Sequence, residues 1–380
     1  MELFKTFGEE ISIESLLTIG PENYVLVDTR NEDSYEYGTI QYAINNRHIL
    51  KDLEEDKLDK NKSYILFCMY GNESKEIASK LREKGIDVTC IQGGYSSYLR
   101  FNLDREELKE EVEKSLMKVY RKRLLSPFLK AINDYQMIQD GDKIAVCISG
   151  GKDSILMAKL FQALHKFSAI KFELVFMVMD PGYSKLNREL IEKNCRNLGI
   201  PVEIFETKIF DTVYDIEKSP CYLCARMRRG YLYSNAKRLG CNKIALGHHY
   251  DDVIETVVMG MFYGAQMQSM MPKLKSDNFE GMELIRPLYL VREKDIITWR
   301  DHHNLHFIQC ACRFTENNHK VQDDGSSTSK RLEIKHLIKE LKKTNPFVEK
   351  NIFKSTENVC LDNLIAYKKN GKRVHFLDEY

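Results

Sequence analysis

Apolar runs alternate with amphipathic stretches along the first hundred residues. Residues 24–28 (YVLVD), 63–68 (SYILFC) and 88–91 (VTCI) are short and rich in β-branched and aromatic residues, which is typical of strands. Residues 74–85 lie between the last two runs, carry apolar positions at helical spacing and end at a glycine. Strands that alternate with helices predict a parallel α/β sheet that closes near residue 100.

The alternation starts again in the second third of the chain. Its apolar runs are residues 143–149 (KIAVCIS), 173–179 (ELVFMVM), 201–205 (PVEIF) and 243–249 (KIALGHH), with helical segments between them. We therefore predict an α/β fold with two parallel-sheet domains.

The segments around these two series are predominantly helical or polar. Residues 104–123 predict one connecting helix, acidic at first and basic afterwards. Beyond residue 315 the pattern weakens into a polar loop, a basic helix over 331–343 and a tail. The predicted units are residues 1–100, a connecting helix over 101–130, a second domain over 131–315 and a basic helical C-terminal extension over 316–380.

Composition narrows the class of protein. The 380 residues are 43% hydrophobic and 30% charged, which excludes a disordered or collagen-like chain. No apolar run approaches the roughly 18 residues that cross a bilayer, and the first residues lack a signal-peptide pattern. Ten cysteines without an export signal indicate reduced thiols used for chemistry or metal binding. We expect a cytoplasmic protein with no membrane partner.

Charge divides the chain unevenly. Residues 1–100 hold 12 basic and 18 acidic residues, whereas the remainder has a net charge of +7. This asymmetry supports separate domains and favours the second one as the site of any polyanionic partner.

The glycine-rich segment SGGKDS at 149–154 is the strongest chemical signal. It follows an apolar strand and precedes a helix, where backbone N–H groups and the helix N-terminus favour an anion. Its spacing differs from a Walker A loop and resembles the PP-loop of ATP pyrophosphatases, which cleave ATP between the α and β phosphates. An ordinary glycine turn is the alternative.

A second segment, GHHYDD at 247–252, resembles the motif that accompanies the PP-loop. Its adjacent Asp251 and Asp252 could hold Mg²⁺ against a triphosphate, although acidic residues also favour any helix N-terminus. The residues that the resemblance assigns to ATP are Ser149, Gly150, Gly151, Lys152, Asp153, Ser154, Gly247 and His248.

Four cysteines in the second domain form a possible metal site. Cys221 and Cys224 make a CxxC motif, and Cys310 and Cys312 follow about ninety residues later. From spacing alone, a tetrahedral zinc site competes with other metal centres.

Residues 132–315 resemble the tRNA 2-thiocytidine synthetase family. The resemblance rests on INDYQMIQDGDKIAVCISGGKDS, CYLCARMRRGYLY, KIALGHHYDDVIET, MFYGAQMQSMMPKL and RPL. It implies a 4Fe-4S cluster held by Cys221, Cys224 and Cys310, with one iron open to sulfur. The family's second CxxC is CAC here, so the resemblance gives Cys312 no role.

The first hundred residues resemble the rhodanese family. The pattern is Asp28-Thr-Arg30, then YEYGTI and AIN, then a loop from Cys68 to Ser74 that opens a helix. The resemblance implies a Cys68 persulfide, since a helix N-terminus favours thiolate. Met69 and Glu73 stand where rhodaneses often have arginine. A protein donor, a cysteine desulfurase or another persulfide donor, therefore fits better than thiosulfate.

We interpret Cys90, Cys147, Cys195 and Cys241 as core residues.

The resemblances together imply an ATP-dependent tRNA sulfurtransferase. ATP with Mg²⁺ would activate the C2 oxygen of cytidine 32 in the anticodon loop, and sulfur relayed from Cys68 through the cluster would replace it, giving 2-thiocytidine, AMP and pyrophosphate. Arg226 and Arg229 are candidate contacts to the tRNA. A homodimer is left open.

Other functions remain open at this point. The alternatives are thiolation of another base or of a small molecule, and a non-catalytic sulfur carrier or redox-sensing nucleotide-binding protein. Lysidine synthetase shares the PP-loop but needs neither a cluster nor a rhodanese domain.

Overall fold

Two α/β sheets organise the chain in a computed structural model, which describes residues 3–55, 57–103, 108–210, 220–308 and 330–378. Among the helices of these ranges, none is long and apolar enough to cross a membrane.

The first sheet lies within the first hundred residues and is entirely parallel. Its strands are β1 (Glu10–Ile11), β2 (Val25–Asp28), β3 (Ile44–Asn45), β4 (Tyr64–Phe67) and β5 (Val88–Ile91), in the order β1-β5-β4-β2-β3. Its helices are Leu3–Phe7, Ile13–Leu16, Glu32–Tyr37, Ile49–Glu54, Asn72–Glu83 and Gly94–Leu103. All four residues of β4 and of β5 are buried, which explains their continuous apolar runs.

The second sheet has the order β10-β11-β9-β6-β7-β8. Its strands are β6 (Lys143–Ile148), β7 (Glu173–Asp180), β8 (Val202–Glu206), β9 (Lys243–Ala245), β10 (Lys273–Lys275) and β11 (Glu283–Ile285). Its helices are Lys152–Phe167, Lys185–Asn197, Pro220–Arg238, Tyr250–Gly264 and Glu293–His302. All neighbouring strands are parallel except β10 and β11. The predicted fold class of two parallel-sheet domains is confirmed, with one antiparallel edge that the pattern did not reveal.

The segment between the sheets differs from its prediction. Instead of one helix over 104–123, the described part forms Leu108–Met117, a π-helical turn over Arg121–Leu125 and a third helix over Ser126–Asp134. Val112, Leu116 and Phe128 are fully buried. The prediction of one connecting helix is therefore wrong, because these side chains pack into the core that covers the second sheet.

The C-terminal extension is more structured than expected. The predicted basic helix runs over Lys330–Thr344, but a second helix follows at Val348–Ser355, and β12 (Ala366–Lys369) pairs with β13 (Lys372–His375). Asn370 and Gly371 form the two-residue turn with φ of 51° and 78°. Asn-Gly is the preferred sequence for such a hairpin turn, so the prediction of a tail overlooked a local signal.

A buried lysine fastens the connecting segment to the second domain. The side chain of Lys159 is fully buried, and its Nζ lies 3.0 Å from Glu113 Oε1, 2.8 Å from Gln162 Oε1 and 2.8 Å from the Leu198 carbonyl. Because its partners come from three separate segments, Lys159 ties these segments together.

Replacing this lysine tests that role. We expect Lys159→Ala to lower the free energy of unfolding by about 3 kcal/mol, because buried polar partners lose their donor. Lys166→Ala is the matched control, since Lys166 is half exposed and binds the other oxygen of Glu113; it should cost under about 1 kcal/mol. Guanidinium unfolding followed by fluorescence of Trp299, the only tryptophan, measures both. Equal losses would contradict the assignment.

Candidate functional site

The glycine turn lies at the carboxyl end of β6 and leads into the helix Lys152–Phe167. Gly150 has φ of 85°, a backbone conformation that favours glycine. A Cβ there would also lie 2.5 Å from Ile191 and 2.8 Å from Ile308, so both the backbone conformation and the packing disfavour a side chain. The Ser154 hydroxyl accepts from the Ser149 backbone N–H at 3.1 Å and donates to the Gly151 carbonyl at 3.0 Å. The turn is thus held in shape with a helix N-terminus directed at it, an arrangement suited to an anion.

Lys152 stands at the first position of that helix and is buried. Its Nζ lies 3.2 Å from Asp153 Oδ2 and 3.1 Å from Glu293 Oε1. Burial opposes its charge, but the two carboxylates outweigh burial and hold the pKa of Lys152 above its usual value. Lys152 therefore carries a full positive charge beside the glycine turn.

The GHHYDD segment packs directly against this turn. A Cβ on Gly247 would lie 3.1 Å from the Ser154 backbone nitrogen, which explains the glycine. His249 caps the helix Tyr250–Gly264, its Nδ1 accepting from the Asp252 N–H at 3.3 Å. Its Nε2 lies 3.8 Å from Asp153 Oδ1. His249 thus connects the glycine turn to the GHHYDD segment. The sequence pattern did not predict this role for His249.

His248 is the histidine that the sequence predicted for the site. Burial lowers its pKa to about 4, so the imidazole is neutral at physiological pH. Its Nδ1 is buried and has no hydrogen-bond partner within the described residues, and the same is true of Arg286 Nε. Two polar groups in this region thus keep an unused hydrogen-bonding position.

The two aspartates of GHHYDD have arginine partners. Asp251 binds Arg292 Nη2 at 2.9 Å and accepts from the Glu293 backbone N–H at 2.7 Å. Asp252 binds Arg331 Nη1 at 2.7 Å. Burial opposes the charge of Asp252, but nearby His249 and Arg331 hold its pKa below the usual value. The Asp252 carboxylate is therefore ionised, and each of the two aspartates already has an arginine partner.

One carboxylate oxygen at the turn is unused. Asp153 Oδ1 is buried and lacks a hydrogen-bond partner among the described residues, with His249 its nearest cationic neighbour. A buried carboxylate oxygen without a donor is costly unless a cation or ligand compensates it.

Cys224 lies on the helix Pro220–Arg238, near the same edge of the sheet. It is half-buried, outside any disulfide, and packs beside Met179 at the carboxyl end of β7. Arg228, one turn further along this helix, lies over the Phe210 ring, which contacts Tyr183; the Tyr183 hydroxyl is 3.5 Å from the Ser149 carbonyl. This chain of contacts links the helix that carries the cysteine to the glycine turn.

The remaining predicted residues of this region are only partly described. Cys221 lies in the first turn of the same helix, but its side chain is not among the described parts of the structure. Cys310 and Cys312 both lie outside the described residues. Arg226 and Arg229 are both exposed on the helix, where they can meet a large partner.

Cys68 follows β4 and is buried at the start of the helix Asn72–Glu83. Its Sγ accepts from Gly71 N–H at 3.1 Å, and from the backbone N–H and hydroxyl of Ser74 at 3.5 Å each. The loop thus directs two backbone N–H groups at the sulfur, while the Ser74 hydroxyl also lies 3.1 Å from the Gly71 carbonyl. The exposed Glu73 and half-buried Met69 complete the loop without an arginine.

The DTR motif stabilises the fold around this loop. Arg30 binds Asp28 through two nitrogens, at 2.9 and 2.6 Å, and donates to the Gly38 carbonyl at 2.7 Å. Thr39 and Asn45 bind Asp28 as well. These residues of the resemblance thus hold one another rather than a ligand.

The Cys68 pocket is shared by the two domains. This cavity of about 370 Å³ is lined by Cys68 and Arg30 from the first domain and by Asn187, Leu190 and Ile308 from the second. Tyr37 also lines it and donates from its hydroxyl to the Ile308 carbonyl at 2.7 Å.

The wall of this pocket touches the glycine turn. The Tyr37 ring lies 5.6 Å from Lys152 Nζ, and the side chain of Ile308 packs on Gly150. One wall therefore separates Cys68 from the glycine turn. Arg47, outside the cysteine loop, supplies a basic group to the pocket that the loop sequence did not predict.

The four cysteines predicted for the core are all buried. Burial raises the pKa of Cys90, Cys147 and Cys195 to about 12 and that of Cys241 to about 11. They stay protonated, which confirms them as structural residues.

Family models and curated relatives match both parts of the chain. A model described as a PP-loop domain matches residues 109–316, and one described as a rhodanese-like domain matches residues 15–100. The tRNA-cytidine(32) 2-sulfurtransferase of Geotalea uraniireducens is 35% identical over 63% of this chain and 93% of its own length. The tRNA-cytidine(32) 2-sulfurtransferase of Vibrio cholerae is 38% identical over 65% of this chain and 77% of its own length.

Among solved structures, the U34-tRNA thiolase NcsA from Methanococcus maripaludis, described with its [4Fe-4S] cluster, is similar at 23% identity. It covers 61% of this chain and 76% of its own, with a TM-score of 0.48. We draw nothing further from this match.

The match to the PP-loop model covers the glycine turn, the GHHYDD segment and the CxxC helix, and both resemblances seen in the sequence are confirmed. The chain therefore belongs to the tRNA-cytidine(32) 2-sulfurtransferase family of PP-loop enzymes, with a rhodanese-like domain preceding its PP-loop domain.

Proposed function

We propose that this enzyme makes 2-thiocytidine at position 32 of tRNA, with sulfur delivered from a persulfide on Cys68 of the same chain. The observation that carries the relay is the wall shared by the Cys68 pocket and the glycine turn, formed by Tyr37 and Ile308. Ile308 is also the last described residue before Cys310, two positions further along the chain. A sulfur carrier beside the activation site shortens the path of a reactive intermediate through water.

ATP activates the base at the glycine turn. The turn and Lys152 hold the phosphates while the C2 oxygen attacks the α phosphorus and pyrophosphate leaves. This step replaces a poor oxygen leaving group by AMP.

The carboxylates beside the turn would hold Mg²⁺ together with the phosphates, since no three His, Cys, Asp or Glu side chains of the described residues form a metal site by themselves. Asp251 and Asp252 would hold it, and the unpartnered oxygen of Asp153 adds a donor of the type that Mg²⁺ prefers. The ion would neutralise phosphate charge during the attack.

Cys221, Cys224 and Cys310 are the residues that would hold a 4Fe-4S cluster. Cys224 fits such a group: it is half-buried, outside any disulfide and at the carboxyl edge of the sheet. Three cysteine thiolates leave one iron without a protein ligand, and that iron can accept sulfide.

The persulfide forms when the Cys68 thiolate attacks a sulfane sulfur and releases the donor as a thiolate. A thiol reductant then attacks the sulfur of Cys68 and releases the outer sulfur as sulfide, and a second thiol reduces the resulting mixed disulfide to restore the Cys68 thiolate. Sulfide has the electron pair needed to attack C2 of the activated base and expel AMP. The backbone N–H groups of Gly71 and Ser74 are directed at Sγ, where the persulfide would form.

The tRNA must present cytidine 32 unstacked, which a single-stranded loop allows at low cost. We propose that the exposed Arg226 and Arg229 contact its phosphates. A cysteine desulfurase or another persulfide donor would load Cys68. The cytoplasm as location and a homodimer as assembly remain predictions.

Replacing Cys68 tests the relay. Cys68→Ser should lower 2-thiocytidine formation with a persulfide donor by about tenfold or more, yet change it by less than about twofold with free sulfide, because only the first route needs the carrier thiol. Nucleoside mass spectrometry of the tRNA measures both. Cys360→Ser, which alters an exposed cysteine far along the C-terminal extension, is the control. Equal loss with both donors would show a structural role for Cys68 and contradict the relay.

Metal analysis tests the cysteine site. Protein purified without oxygen should contain about four iron and four sulfide per chain, and Cys224→Ala should lose most of both because the cluster needs three thiolates. Cys360→Ser should retain them. A colourless protein that contains zinc and no iron would instead support the zinc alternative and overturn the cluster.

A further inference from the structure

Lys152 is already occupied in the structure. Its buried ammonium group contacts both Asp153 and Glu293, at 3.2 and 3.1 Å. These contacts use two of the three N–H donors of its ammonium group, so a phosphate that takes more than one donor must displace a carboxylate. The cost of that exchange depends on what then neutralises the carboxylates.

Glu293 has a second cation. Lys335 Nζ lies 2.8 Å from its Oε2, while Lys152 holds Oε1, so the carboxylate bridges two ammonium groups. The Glu293 side chain is 18% exposed, and a carboxylate with so little contact with water needs a cation partner at all times.

Lys335 is fixed by the helix Lys330–Thr344, which packs against the helix Tyr250–Gly264. Ile334 and Ile338 anchor it and are 1% and 5% exposed. Arg331, one turn before Lys335, binds Asp252 at 2.7 Å. This helix therefore brings two cations to the site from beyond residue 316, where the match to the PP-loop model ends.

We propose that Lys335 is a positioning residue for ATP: it keeps Glu293 neutralised so that Lys152 can exchange this carboxylate for a phosphate of the nucleotide. The inference rests on the proposed function, since Lys152 is there assigned to ATP. Without Lys335, Glu293 would keep Lys152 as its only ion-pair partner among the described residues, and the incoming phosphates would have to compete with that pair.

The alternatives make different predictions. If Lys335 contacted phosphate directly, its effect would not depend on Glu293. If it only anchored the C-terminal helix, its loss would lower stability and leave nucleotide affinity unchanged. A double-mutant cycle between Lys335 and Glu293 separates the three cases.

The experiment measures the Kd of the full-length protein for Mg²⁺ with a non-hydrolysable ATP analogue by calorimetry. Lys335→Met should raise Kd by about tenfold or more, and Lys335→Arg should recover most of the loss. The Lys335→Met, Glu293→Gln double variant should return to within about threefold of the unaltered protein, because it removes the carboxylate along with its cation. Lys343→Met is the control, since Lys343 pairs only with Glu340 on the outer face of the same helix, and should leave Kd unchanged.

Activity gives a second readout. In Lys335→Met the KM for ATP should rise while kcat at saturating ATP stays within about twofold, and thermal unfolding followed by Trp299 fluorescence shows that the variant is folded. An unchanged Kd in Lys335→Met, or a double variant as weak as the single one, would overturn the inference while leaving the proposed function intact. Absence of ATP binding by the unaltered protein would instead remove the proposed function.

Discussion

The hydrogen bond from the Tyr37 hydroxyl to the Ile308 carbonyl joins the two domains at the point where their chemistry meets. Tyr37 ends a helix of the first domain, and Ile308 follows the helix Glu293–His302 of the second. Arg300 strengthens this contact by donating to the Tyr37 carbonyl. Because Ile308 also packs on Gly150, the placement of the first domain and the shape of the glycine turn depend on each other.

The charges around the turn follow from the same packing. Lys152, His249 and Lys335 face Asp153, Asp252 and Glu293; the side chains of Lys152 and His249 are closed to water, whereas that of Lys335 is about half exposed. Where water is excluded, each charge must be matched, and removal of one leaves another buried and unpaired. The site therefore acts as one electrostatic unit, built from the PP-loop domain and the C-terminal helix together. This explains why a helix outside the matched PP-loop segment can influence the turn.

Local sequence patterns predicted the parts of the site that depend on backbone geometry. Gly150 and Gly247 could be recognised because no side chain fits at either position. Cys68 could be recognised because a thiol between a strand and a helix has a predictable set of N–H donors. Strands β2, β4, β5, β6, β7 and β9 were predicted for a similar reason, since buried strands are continuous apolar runs, whereas the strands β1, β3, β10 and β11 were not predicted.

Other residues of the site leave no local trace in the sequence. Glu293 is 141 residues from Lys152, and Tyr37 is 271 residues from Ile308. Their roles arise from tertiary packing, which periodicity does not encode. The interrupted connecting segment was missed because its charges resemble those of a solvated helix, whereas Val112 and Leu116 on its inner face are buried. The Asn370-Gly371 hairpin, by contrast, has a local sequence signal for its turn, and our sequence prediction overlooked that signal.

The central claim is that sulfur passes from Cys68 to the activated base within one enzyme. Its most direct test begins with full-length protein that carries a ³⁵S-labelled persulfide on Cys68 and is freed of unbound donor. ATP, Mg²⁺, a thiol reductant and tRNA are then added for a single turnover, with unlabelled sulfide in excess. The account predicts ATP-dependent ³⁵S in 2-thiocytidine at a specific activity well above that of the mixed sulfide pool. Label that appears only in free sulfide, with the tRNA thiolated from the unlabelled pool, would contradict it.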